Sequence, residues 1–135
     1  MIILANGCAT NAPDASSKVP LREVPSLNVV MDCGSCQVRP NVPGLIVEGY
    51  TSAAIKSGAT VVAGQQATVI IKEYAARDDA ARFLVGAFAG KDEIKADVTF
   101  ESKHFMVEDY YRNAWLGIEA LARKIGGMVF EKVQQ

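Results

Sequence analysis

Half of the 135 residues are hydrophobic and 21% are charged, a composition that suits one globular domain burying roughly two thirds of its unfolded surface. Fourteen basic residues against fifteen acidic ones leave a net charge of −1, with no long block of either sign, which excludes the electrostatic footprint of a nucleic-acid binder. No run reaches the roughly 18 apolar residues of a transmembrane helix, so any membrane attachment must come from something other than a span.

The first feature in chain order is Leu4-Ala5-Asn6-Gly7-Cys8, followed by Ala9-Thr10. Small residues ending in Gly-Cys, with apolar residues before and a polar tail after, resemble the lipobox of bacterial lipoproteins. In that class the segment before the cysteine is removed and the cysteine becomes the lipidated N-terminus. Here the leucine stands one place further from Cys8 than is usual and only MIIL precedes the motif, so residues 1–7 read as the remnant of a longer signal. The resemblance implies lipid attachment at Cys8, secretion, and a periplasmic protein anchored to a membrane, expected to be the outer membrane. The other reading is a free cysteine near a loose terminus. Residues 9–26, ATNAPDASSKVPLREVPS, are small and polar with three prolines, the composition of an extended tether. The expected division is therefore a signal remnant at 1–7, an attachment cysteine with its tether at 8–26, and one folded domain at 27–135.

Leu27-Asn28-Val29-Val30-Met31 reads as a strand ending in the turn chemistry of Asp32 to Ser35. Residues 44–57 place Ile46, Tyr50, Ala53 and Ala54 at helical spacing, with Gly58 as the C-terminal stop. Two β-branched runs separated by Gly64-Gln65-Gln66 predict a short strand, a turn and a longer strand at 67–74. From 94 to 101, Ile94, Ala96, Val98 and Phe100 alternate with Lys95, Asp97, Thr99 and Glu101, the pattern of a half-buried strand. Phe105 to Asp109 is expected to pair back on it as a hairpin. From Arg112 to Val133 one long helix is predicted, with Ala114, Ile118, Leu121, Ala122, Ile125, Val129 and Val133 on one stripe and a local weakness at Gly126-Gly127. The order strand, helix, strands, hairpin, helix predicts an α+β fold: a mixed or antiparallel sheet with two helices packed on one face.

Residues 77–100, RDDAARFLVGAFAGKDEIKADVTF, join two predicted strands through a segment too apolar for an ordinary loop. The arrangement of Arg82, Gly86, Ala89 and Gly90 ahead of a strongly alternating strand, with Ala67 to Ile71 as the strand before it, resembles a family of bacterial lipoproteins known only as a domain of unknown function. Membership would imply secretion and lipidation, in agreement with Cys8, but no activity. On the residues themselves, Phe83, Val85, Gly86, Phe88 and Gly90 form an apolar, small-residue surface that either plugs the core or is covered by a partner. It is not a phosphate loop, because the glycine spacing differs and Lys91 precedes the acidic pair Asp92-Glu93.

Cys33-Gly34-Ser35-Cys36 has the spacing of a thiol-redox motif, in which a helix N-terminus stabilises the first thiolate. Pro40 and Pro43 disfavour a helix starting at Cys33, and zinc would find only His104 and Cys8 as further ligands. The expectation is a local disulfide between Cys33 and Cys36, with redox activity and metal binding as alternatives. His104 has no nucleophile that spacing places beside it; Asp78-Asp79 and Asp92-Glu93 read as solvated or capping carboxylates; Trp115 and Tyr110-Tyr111 are expected to be buried in the domain, with an aromatic contact site as the alternative. No catalytic residue, cofactor or metal is assigned. The function expected is that of a non-enzymatic accessory or assembly factor, held to the membrane through Cys8 and docking on a protein of the envelope or of a secretion system. The alternatives are a periplasmic thiol-active protein using Cys33 and Cys36, and a cytosolic binding module whose N-terminus only imitates a lipobox.

Overall fold

The computed structural model describes residues 22–78 and 90–135. Its elements are β1 (Arg22–Met31), α1 (Val42–Lys56), β2 (Ala59–Ala75), β3 (Asp92–Phe100), β4 (Lys103–Tyr111) and α2 (Ile118–Val133). They form the α+β fold expected, with a four-stranded mixed sheet in the order β1-β2-β3-β4. β1 runs parallel to β2, which requires a crossover, and α1 is that crossover. β2, β3 and β4 then meander antiparallel. Val69, Ile71, Ile94, Ala96, Val98 and Val107 turn one face of the sheet towards the apolar stripes of both helices, and together they make one core.

β1 begins five residues before the predicted strand. Val24 is buried, the Pro25 carbonyl accepts the Tyr50 hydroxyl at 2.5 Å, and the Arg22 guanidinium donates to Ser57 O and Gln134 Oε1. Residues 22–26, assigned by composition to the tether, thus belong to the sheet. Pro25 misled because prolines signal linkers, yet an edge strand tolerates a residue without an N–H. The turn expected at Gly64 to Gln66 is also absent. β2 runs through, and the register steps from Pro25 opposite Val62 to Ser26 opposite Gln66, so the intervening β2 residues bulge out. The Ser26 hydroxyl donates to Gln65 O across this step.

α1 accepts Pro43 in its first turn, where the missing N–H costs nothing, and buries Val42, Ile46, Tyr50 and Ala54. Gly58, at φ +75°, closes its C-terminus by donating to Ile55 O. The alternation predicted for β3 is present, with Ile94, Ala96 and Val98 fully buried.

The two helices cross at glycine. A Cβ on Gly126 would lie 2.6 Å from the Tyr50 amide nitrogen and nearer still to the Ile46 carbonyl oxygen; one on Gly49 would lie 2.7 Å from the Arg123 carbonyl carbon. Backbone meets backbone there, so Gly126 is the contact point of α2 rather than a weak spot. Gly127 faces open space.

Candidate functional site

β2 leaves the sheet at Ala75 and β3 re-enters it at Asp92, and two charges tie these strand ends together. Arg77 and Asp92 are both buried. The Arg77 amide donates to Asp92 Oδ1 at 2.7 Å, while its Nε and Nη2 donate to Oδ2 at 3.1 and 2.8 Å. Both carboxylate oxygens are therefore satisfied. A buried ion pair survives only when its remaining hydrogen-bonding capacity is also used, since desolvating two charges costs several kcal/mol per ion. Here Nη1 donates to Arg112 O, and Nη2 donates also to Asn113 O and Leu116 O. Arg39 joins the assembly from the β1–α1 loop, donating through its side chain to Arg77 O and through its backbone to the Tyr74 hydroxyl.

These bonds explain why α2 starts at Ile118 instead of Arg112. A helix over 112–117 would turn those carbonyls towards amides one turn on, but Arg77 takes them. Asn113 completes the departure: its Oδ1 accepts the amides of Trp115 and Leu116 at 2.9 and 2.7 Å, a side-chain turn that competes with the helix.

The result is a short loop with a fixed backbone and a projecting side chain. Trp115 is 84% exposed, Leu116 42% and Tyr110 50%. Burial was expected for Trp115 and Tyr110 and does not occur. A stripe assigned to a helix cannot place Trp115 once the first turn of that helix is diverted. Beside the loop, Lys91 and Arg112 lie 5.1 and 5.5 Å from the Tyr110 ring centre, so two cations contact that ring. A cleft of about 460 Å³ adjoins Trp115, lined by Arg39, Leu116, Glu119 and Arg123. Rigid backbone, an exposed indole and flanking cations are the physical ingredients of a recognition surface, because little side-chain or loop entropy remains to be lost on binding.

The residues singled out by sequence fare unequally. Cys8, Phe83, Val85, Gly86 and Phe88 lie outside the described residues. Gly90 is exposed at φ +69°, two residues before the clamp at Asp92. Cys33 and Cys36 are joined as a disulfide, with Cα atoms 5.6 Å apart, in the loop after β1. α1 starts only at Val42, so neither sulfur lies at a helix N-terminus. His104 stands exposed on β4 opposite Thr99. Asp92, read as a solvated carboxylate, is instead the buried half of the clamp. The clamp itself was missed: an Arg and an Asp 15 positions apart are indistinguishable from surface charges until the sheet brings the end of β2 beside the start of β3.

No protein-family profile matches this chain, and no curated protein matches it. The resemblance to lipoproteins is carried by its own residues alone.

Proposed function

We propose that this protein is a non-enzymatic docking factor of the bacterial envelope, attached to the membrane through lipid on Cys8 and recognising a protein partner through the loop that carries Trp115. The observation that carries the docking role is the 84% exposed indole on a backbone locked by the buried Arg77–Asp92 pair. Soluble domains hide most tryptophan surface, and tryptophan is among the residues on which binding energy concentrates. The support for anchoring is the Gly7-Cys8 run with its small-residue approach, followed by a polar stretch that links it to β1. The Cys33–Cys36 disulfide serves in this reading as a brace between β1 and α1. Because α1 starts only at Val42, the pair lacks the helix N-terminus on which thiol-redox sites are built.

Two measurements test the two halves. Intact mass from native membranes should show acyl mass on Cys8 with residues 1–7 gone, and Cys8→Ser should move the protein to the soluble fraction; an unmodified Cys8 would end the anchored reading. A photo-reactive phenylalanine in place of Trp115 should give one discrete adduct in intact cells that the same group at Lys56 does not. No adduct at position 115 would remove the docking role.

A further inference from the structure

Among the described residues, β4 forms an open edge of the sheet, and its outer backbone groups have no partner strand. The other edge, β1, is blunted: Pro25 removes one donor and the step after it breaks the register. β4 has no proline and pairs with β3 without a break over its whole length. Between its free edge and α2 runs a groove of about 630 Å³, floored by Val107 and bordered by Met106, Ala53, Gly127 and Met128. Met106 is half exposed. This is an edge that can accept another strand, and the charges on β4 say which.

We infer that β4 pairs antiparallel with β4 of a second copy of this chain, about a two-fold axis at Met106, so that the two sheets become one. A two-fold axis perpendicular to the sheet keeps the helix-bearing faces on the same side. Residues placed directly opposite must then share a face, which restricts the pairings to those centred on a residue rather than between two. In β4, Phe105, Val107 and Asp109 face the helices, as the buried Val107 and the 2.5 Å Lys124–Asp109 pair show, and His104, Met106 and Glu108 face away. Centred on Phe105, the pairing would set Lys103 against Val107 and His104 against Met106, a polar group against an apolar one each time. Centred on Val107, it would set Asp109 against Phe105 and Glu108 against Met106. Centred on Met106, it sets His104 against Glu108, Lys103 against Asp109, Phe105 against Val107 and Met106 against itself. Only this register sets a carboxylate opposite a hydrogen-bond donor at both polar positions and apolar against apolar between them, and the two-fold axis repeats each pairing on either side of Met106.

The acidic and basic halves of β4 thus make the strand complementary to its own reverse. A parallel arrangement would bring the two basic ends together. Pairing β4 with β1 of the next copy would propagate without closing, and Pro25 disfavours it. In the closed dimer the two Met106 side chains meet at the axis on the face away from the helices, a use that suits the adaptable thioether. The pairing does not depend on whether Cys8 carries lipid.

Mass by light scattering across a dilution series of Cys8→Ser protein should show a dimer. Glu108→Lys should weaken it about tenfold, since opposite-charge cross-strand pairs contribute up to about 1 kcal/mol each and the axis doubles the change. His104→Glu should weaken it similarly, and the double variant H104E/E108K should restore it. On oxidation, Met106→Cys should cross-link to its own copy, whereas Tyr110→Cys, placed opposite Ser102, should not. A monomer at every concentration with no cross-link at 106 would overturn the inference and leave this edge to a foreign peptide. A dimer indifferent to Glu108→Lys would overturn it by locating the interface elsewhere.

Discussion

Where α1 crosses α2 the contact is made by two missing side chains, whereas where β2 leaves the sheet and β3 returns it is made by two charges. At Gly49 and Gly126 the helices approach until backbone touches backbone, and any added carbon collides with a carbonyl or amide that cannot swing aside. At Arg77 and Asp92 the chain does the reverse, filling an interior position with the most polar groups available and then satisfying each of them. The crossing tolerates nothing larger. The clamp tolerates nothing less complete. Their consequences differ too: the crossing sets how the two helices lie on the sheet, and the clamp sets the local path of residues 112–116, and through it the exposure of Trp115.

The largest effect should come from unbalancing the clamp. Asp92→Ala leaves a buried guanidinium without its counter-charge and should cost about 3–5 kcal/mol in chemical denaturation. Surface pairing is a different matter: Glu48→Gln, which removes the exposed partner of Arg123, should cost no more than about 1 kcal/mol. Equal losses from the two would mean that the clamp is not effectively desolvated.

At the crossing, Gly126→Ala should cost about 3 kcal/mol, because the helices must move apart to admit one methyl group. Gly127→Ala, one residue on and facing open space, should raise stability by about 0.5–1 kcal/mol through helix propensity alone. Thermal melts of this pair separate close packing from propensity, and a neutral Gly126→Ala would contradict the packing.

Tyr50 joins α1 to the early half of β1, and its test is one of pH. Burial pushes its hydroxyl up from the ordinary value of 10 to about 12. The unfolded chain therefore loses this proton first, so its contribution is fully present below pH 10 and is lost as pH rises through about 12. Tyr50→Phe should cost about 1–3 kcal/mol at neutral pH, by leaving Pro25 O unpaired, and should remove that part of the alkaline decline. A chain beginning at Ser26 loses the same acceptor together with the buried Val24, and should be less stable still.

The smallest effect lies on the acid side, at Asp109. Burial works to raise its pKa, but hydrogen bonds from Lys124 and the Tyr110 amide outweigh it and hold the carboxyl below its usual range. A depressed pKa adds stability above the unfolded value that fades as pH falls through the folded one, so Asp109→Asn should flatten the acid limb slightly. Denaturant midpoints taken below pH 5 would show it; an unchanged slope would mean that Lys124 does not engage Asp109 in solution.

Much of this fold could be read from residue order because its signals are local. The two-residue period of 94–100, the four-residue spacing of Ile46, Tyr50 and Ala54, and the stop at Gly58 each depend on neighbours a few positions away, and all reappear in the structure. What sequence by itself determined was therefore the kind and order of elements, and hence the α+β class, together with the apolar faces that make the core. It also placed two cysteines at a spacing that closes a loop disulfide. The tertiary structure decided everything that rests on groups far apart along the chain. Pro25 is strand because β2 lies beside it and Tyr50 needs its carbonyl; Gly126 is a contact because Ile46 and Tyr50 arrive there; residues 112–116 abandon the helix because Arg77 takes their carbonyls. Trp115 follows from the last of these. Its exposure comes from one buried cation 38 positions earlier in the chain, whose unmet hydrogen-bonding demand outweighed the helical preference of the segment around it.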